Sequence, residues 1–183
     1  MKLIFSIFLA ILSFNSLAIS NGEILYNDYS SYYEEAPYEV NYCHKNHARL
    51  LKYLKGRGAN LSEIYVLIIQ QDKTKPRLTP QNGIYDNQYA WHVVLLSDGV
   101  VYDLNAKFSP EGVNLEDYFG YVLGHDTELS NVLLRVYDGD YFYSYFYGNN
   151  GQPNEYDPGH FVSNFLSETA SSPLVLASML KWY

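Results

Sequence analysis

The chain has 183 residues with 20 acidic against 12 basic side chains, so it can bury the core of one domain but has the wrong charge for a nucleic-acid partner. It has no basic cluster or basic amphipathic helix of the kind that binds membrane surfaces. Its single cysteine, Cys43, cannot form an internal disulfide and excludes a multi-cysteine zinc site, which leaves an inert buried group, an intermolecular link or a reactive thiol.

In chain order, Lys2 precedes an apolar run from Leu3 to Leu12 broken only by Ser6, and Ser16-Leu17-Ala18 has the small-x-small form of a cleavage site. Residues 1–18 are expected to be a secretory signal peptide, with a secreted or periplasmic mature chain. The run is too short to span a bilayer, and no later stretch approaches ~20 apolar residues, so no stable membrane insertion is expected. Residues 19–183 then form one domain, and loss of Lys2 takes the net charge from −8 to −9. Residues 21–40 are polar, acidic and rich in tyrosine, and read as an extended arm on the domain surface.

Asn41-Tyr42-Cys43 opens the first helix; Asn41 or Tyr42 sits where an N-cap would, and Asn41 is the suitable capping type. Cys43, His47, Leu50, Leu51 and Leu54 form one apolar stripe, and Gly56 and Gly58 end the helix. Cys43 therefore lies in the first turn, where the helix dipole and unpaired N–H groups favour negative charge. Leu61 to Gln71 is a near-continuous apolar run and reads as a buried central strand. Residues 72–88 form a long polar loop punctuated by Pro76, Pro80 and Asn82-Gly83, expected to face a substrate.

Tyr89 to Leu104 reads as one β-hairpin. Trp91, Val93 and Leu95 alternate with His92, Val94 and Leu96, and Asp98-Gly99 is the dipeptide a type I′ turn favours. With those two residues as the loop, Ser97 pairs with Val100, Val94 with Asp103 and His92 with Asn105. His92 and Asp103 then share a face, roughly 7–8 Å apart at Cα. Ionisable groups on apolar strands are tolerated when paired, so the hairpin alone is equally consistent with a structural His–Asp pair and with a catalytic one.

Beyond the hairpin, Ser109-Pro110 marks a turn, and Asn114 is placed to cap a short helix with Leu115, Tyr118, Phe119 and Val122 inward. Asn131 to Tyr137 reads as a strand, Asp140 to Tyr147 is ambiguous between helix and strand, and Gly148 to Pro158 is a loop. Short helices are expected over His160–Leu166 and Leu174–Trp182. The fold class is α+β: a leading helix that carries Cys43, packed on an antiparallel sheet that carries His92 and Asp103, as in papain-like cysteine hydrolases.

Those three residues have the types that nucleophilic acyl transfer needs. A thiolate attacks a carbonyl carbon, an imidazole moves the proton from nucleophile to leaving amine, and a carboxylate fixes the imidazole's tautomer and stabilises its charged form. Asn105 is a rival to Asp103 for the third place. His44 and His47, i and i+3 on the first helix, have no matching acid or cysteine pair for a metal, and His125-Asp126 and His160 read as solvated. Neither a Gly-rich phosphate loop nor a Gly-x-Ser-x-Gly elbow is present, and no cofactor or metal is expected.

The chain resembles the protein N-terminal glutamine amidohydrolase family. The resemblance rests on Tyr42-Cys43-His-Lys-Asn46, Tyr89-Ala-Trp-His92-Val-Val-Leu-Leu96, Val101-Tyr102-Asp103-Leu104, and Arg135-Val136 running to Asp140 and Phe146, in the family's order over residues 40–147. It implies Cys43, His92 and Asp103 as catalytic residues, a papain/transglutaminase-like fold, a glutamine-bearing protein or peptide as substrate, and conversion of glutamine to glutamate with release of ammonia. The chain departs from the family in a shorter turn between the His and Asp strands, a reduced proline-rich segment after residue 147, and its signal peptide. Export also fits an effector or toxin deamidase, or a transglutaminase, acting on an internal Gln or Asn. A cysteine protease and a non-enzymatic, Tyr-rich exported binding protein are the remaining alternatives.

Overall fold

Helix α1, Cys43–Gly56, packs its leucine stripe onto one face of an antiparallel sheet. The computed structural model describes residues 29, 31–32, 39, 42–71, 91–105, 112–115, 117–118, 132–148 and 165. Cys43, His47, Leu50, Leu51 and Leu54 are all buried, as the periodicity requires. Of the two candidate N-cap positions, Tyr42 is the cap, and its side chain makes no capping bond. The incoming chain is held by Asn46 instead: its amide donates to the Glu39 carbonyl at 2.8 Å, and its Oδ1 accepts from the Glu39 N–H at 3.1 Å. Arg49 pairs with the Glu39 carboxylate on the same side.

The sheet contains β1 (Tyr65–Gln71), β2 (Trp91–Ser97), β3 (Val100–Tyr102), β4 (Val113–Asn114) and β5 (Val132–Asp138). Their order is β4-β3-β2-β1-β5, and every pairing is antiparallel. β1 is central: Ile68 lies opposite Val93 on one side and Arg135 on the other. The strand begins at Tyr65, later than the apolar run implied. Leu61–Glu63 forms a single 3-10 turn, because the Asn60 side chain accepts from the Ser62 N–H and donates to the Glu63 carboxylate.

Strand alternation sorts the core into two layers. Val66, Ile68, Val93 and Leu95 pack with Leu50, Leu51 and Leu54 of α1 and with Phe142 and Phe146 of the second helix, α2, Gly139–Tyr147. Leu67, Ile69, Val94, Leu96, Val101 and Leu134 form the opposite layer with Tyr118. Each fully buried Leu or Ile stabilises the fold by about 1.5–3 kcal/mol relative to exposure, so these layers fix the helix on the sheet. α2 resolves the ambiguity over Asp140–Tyr147 in favour of helix: Asp138 caps it by accepting from the Tyr141 N–H at 2.7 Å.

Gly139 opens α2 against the 3-10 turn and donates its N–H to Ile64 O at 2.7 Å. A Cβ there would lie 2.7 Å from Leu61 O and 3.0 Å from Ile64 O. Those oxygens are backbone, so Gly139→Ala is expected to destabilise the protein by about 1–3 kcal/mol. Denaturant titration should show a lower midpoint with an unchanged slope; an unchanged midpoint would mean that α2 can shift freely.

Part of the region read as an extended arm is helical. Tyr29, Ser31 and Tyr32 are helical, and Tyr29 is buried against Tyr102 with ring centroids 5.0 Å apart. Residues 115, 117 and 118 are helical after β4, which ends on the expected cap Asn114. The signal peptide, the loop at 72–88, the segment after Gly148 apart from the buried Phe165, and the expected C-terminal helices lie outside the described residues. Among the described residues no helix is long and apolar enough to cross a membrane.

Candidate active site

The hairpin turn forms as its sequence requires. Asp98 and Gly99 both take positive φ, 50° and 77°, and Ser97 pairs with Val100. The return strand is shorter than expected. β3 ends at Tyr102, opposite Leu95, so Val94–Asp103 and His92–Asn105 are not ladder pairs. Asp103 begins the turn that leaves the strand. It still meets His92, whose Nε2 lies 2.9 Å from Asp103 Oδ2, both side chains being almost fully buried.

Asp103 is held from three directions. Oδ2 also accepts from the Tyr118 hydroxyl at 2.8 Å, and Oδ1 accepts from the Asn105 N–H at 2.8 Å. Burial alone would raise its pKa; His92, His47 and the Asn105 N–H outweigh that and hold it below the usual carboxylate value. Asn105, the rival for orienting His92, instead supplies its backbone to Asp103, and its own Oδ1 is buried with no hydrogen-bond partner among the described residues.

The Cys43 side chain lies near enough to His92 to favour charge on its ring. With Nε2 engaged by Asp103, Nδ1 is the ring nitrogen left for the sulfur. Burial opposes charge on His92, but Asp103 and then Cys43 overcome it and raise the pKa to about 10. The protonated form of the imidazole is therefore favoured by the carboxylate first and the Cys43 side chain second. Cys43 is the first residue of α1, so its backbone N–H belongs to the group without an intrahelical acceptor. The structure thus brings together Cys43, His92 and Asp103, from one helix and one hairpin.

Two further residues touch this set. Tyr118 has already been placed on Asp103. His47, one turn after Cys43, has Nδ1 at 2.7 Å from Cys43 O, and its Nε2 accepts from the Leu104 N–H at 3.3 Å. Its ring is 6.4 Å from that of His92. The signal for His47 was an imidazole within a leucine stripe; Tyr118 gave no signal beyond its helical spacing. His44 packs among Tyr42, Trp91 and Phe146 rather than in the set. Burial, followed by Lys45 and His47, lowers its pKa to about 3. His125, Asp126 and His160 lie outside the described residues, among which no group of three or more His, Cys, Asp or Glu could hold a metal ion.

No protein-family model matches the chain, and no curated protein sequence matches it.

Proposed function

We propose that the protein is a cysteine amidohydrolase that deamidates protein glutamine. The observation that carries this reading is the buried His92, bonded to the Asp103 carboxylate and influenced by the nearby Cys43, whose sulfur heads a helix. The sequence resemblance to N-terminal glutamine amidohydrolases names the same three residues, and a helix bearing the nucleophile on an antiparallel sheet bearing the base is consistent with a papain/transglutaminase-like fold.

In this mechanism the Cys43 proton passes to His92, the resulting thiolate attacks the glutamine side-chain carbonyl carbon, and the oxyanion takes a hydrogen bond from the Cys43 N–H. His92 gives a proton to the amide nitrogen, the C–N bond breaks and ammonia leaves, with a thioester on Cys43. Water then attacks the thioester carbonyl while His92 accepts its proton. The C–S bond breaks, and glutamate and the Cys43–His92 pair are regenerated. Asp103 keeps Nε2 protonated and Nδ1 directed at the sulfur throughout.

The test is ammonia release from three peptides: one beginning with Gln, the same peptide N-acetylated, and one with internal Gln. Release from the free N-terminal Gln alone is expected if the substrate's α-amine is recognised. Equal release from the acetylated or internal peptide would make the protein a deamidase of internal glutamine, the reading that export favours. No ammonia from any of them, together with peptide-bond cleavage, would make it a protease and sink the proposal.

A further inference from the structure

His47 lies in a buried stripe whose other members are Cys43 and three leucines, and it is itself fully buried. A leucine there would need no hydrogen bonds, whereas a buried imidazole must find partners on both nitrogens. His47 finds them on two different elements. The Leu104 N–H can only donate, so Nε2 is the acceptor and the ring proton resides on Nδ1, which donates to Cys43 O. The tautomer is thus fixed by its partners, and burial holds the ring neutral, with a pKa lowered to about 4. The two backbone groups it joins belong to the nucleophile's own residue and to the residue after Asp103.

Resting on the amidohydrolase reading above, we propose that His47 is a positioning residue that fixes the head of α1, and with it the Cys43 sulfur, against the segment that holds Asp103 and orients His92. Helix packing alone places a side chain to within the play of its apolar contacts. Two directional bonds from one rigid ring set the Cys43–Asp103 spacing more tightly, and a misplacement of about 1 Å is enough to cost about 100-fold in rate. The groups that face the ring are Asp103, which favours its charge, and His92 and His44, which oppose it. Protonation would turn Nε2 from acceptor to donor. It would then forfeit the Leu104 N–H and face the Tyr102 backbone, which favours the charged ring, so the linkage to the Asp103 segment is lost in acid.

The test uses the full chain and two readouts, the rate of Cys43 alkylation by iodoacetamide and the split of kcat from KM for ammonia release. His47→Phe keeps the ring volume and removes both bonds. It is expected to slow alkylation and lower kcat by about 10- to 100-fold with KM little changed. His47→Gln can present Oε1 near the place of Nε2 and accept from Leu104 N–H without titrating. It is expected to recover part of the rate and to lose the part of the wild-type acid limb centred near pH 4 in the alkylation profile. Alkylation and kcat in His47→Phe equal to wild type would overturn the proposal and leave the amidohydrolase reading intact. If His47→Phe does not fold, His47→Gln decides: an acid limb identical to wild type overturns the proposal. The amidohydrolase reading fails separately if wild-type Cys43 alkylates no faster than in His92→Ala.

Discussion

Cys43→Ala is expected to abolish ammonia release, with kcat at least about 10⁴-fold below wild type, because no other group can carry the acyl intermediate. The substitution is well isolated from the fold. The hydrogen bond that ties His47 to this residue uses the Cys43 carbonyl, which alanine keeps. Alanine is also the best helix former, and it removes only one small atom from a site that is 4 % exposed. The stability cost should stay near 1 kcal/mol. A thermal melt and the ammonia assay on the same sample separate the two effects. Residual turnover within tenfold of wild type would show that Cys43 is not the nucleophile.

Asp103→Asn should affect both rate and stability. The carboxylate accepts from His92, Tyr118 and the Asn105 N–H, all donors. An amide offers one oxygen and turns an NH2 group toward at least one of them. The buried His92 also loses the charge that sustains its own. Breaking a buried pair in this way costs about 3–5 kcal/mol, and kcat is expected to fall by about 10³-fold. The wild-type stability profile contains the same pair. His92 has a raised pKa, so its contribution is complete below its ordinary value of 6.5 and is lost as pH rises toward about 10. Asp103 has a lowered pKa, so its contribution is present above 3.8 and is lost as pH falls below that. His47 and His44 are held neutral, and they remove stability as pH falls from 6.5 toward about 4 and about 3. Denaturant midpoints should therefore peak near pH 6.5 and fall on both sides, and Asp103→Asn should flatten the alkaline side. An alkaline arm that persists in the variant would refute the pairing.

The sequence revealed what is local and periodic. The α1 stripe follows from Cys43, Leu50, Leu51 and Leu54 at helical spacing, with His47 among them, and the hairpin turn from Asp98-Gly99. Those two elements are enough to bring Cys43, His92 and Asp103 into one candidate set. The early end of β3 could not be read, because Tyr102-Asp103-Leu104 keeps an alternating pattern while Asp103 is drawn out of the ladder by His92, Tyr118 and the Asn105 N–H. Tyr118 and the Leu104 partner of His47 were invisible for the same reason: each contact joins separate elements. The 3-10 turn did carry a local signal, Asn60 followed three residues later by Glu63, which the apolar run Leu61–Gln71 obscured.

The two halves of this site close over very different lengths of chain. The His92–Asp103 pair joins residues 11 apart, inside one hairpin, whereas the His47–Leu104 bond that links the helix to the hairpin spans 57. The longer closure costs about 1.5 kcal/mol more in chain entropy and waits on the docking of two formed elements. The His92–Asp103 contact is therefore expected to close at lower chain-entropy cost than the contact that brings Cys43 and its helix to it. If the proposed amidohydrolase reading holds, chemistry is then a late event in folding, because the sulfur meets its base only once the helix has docked.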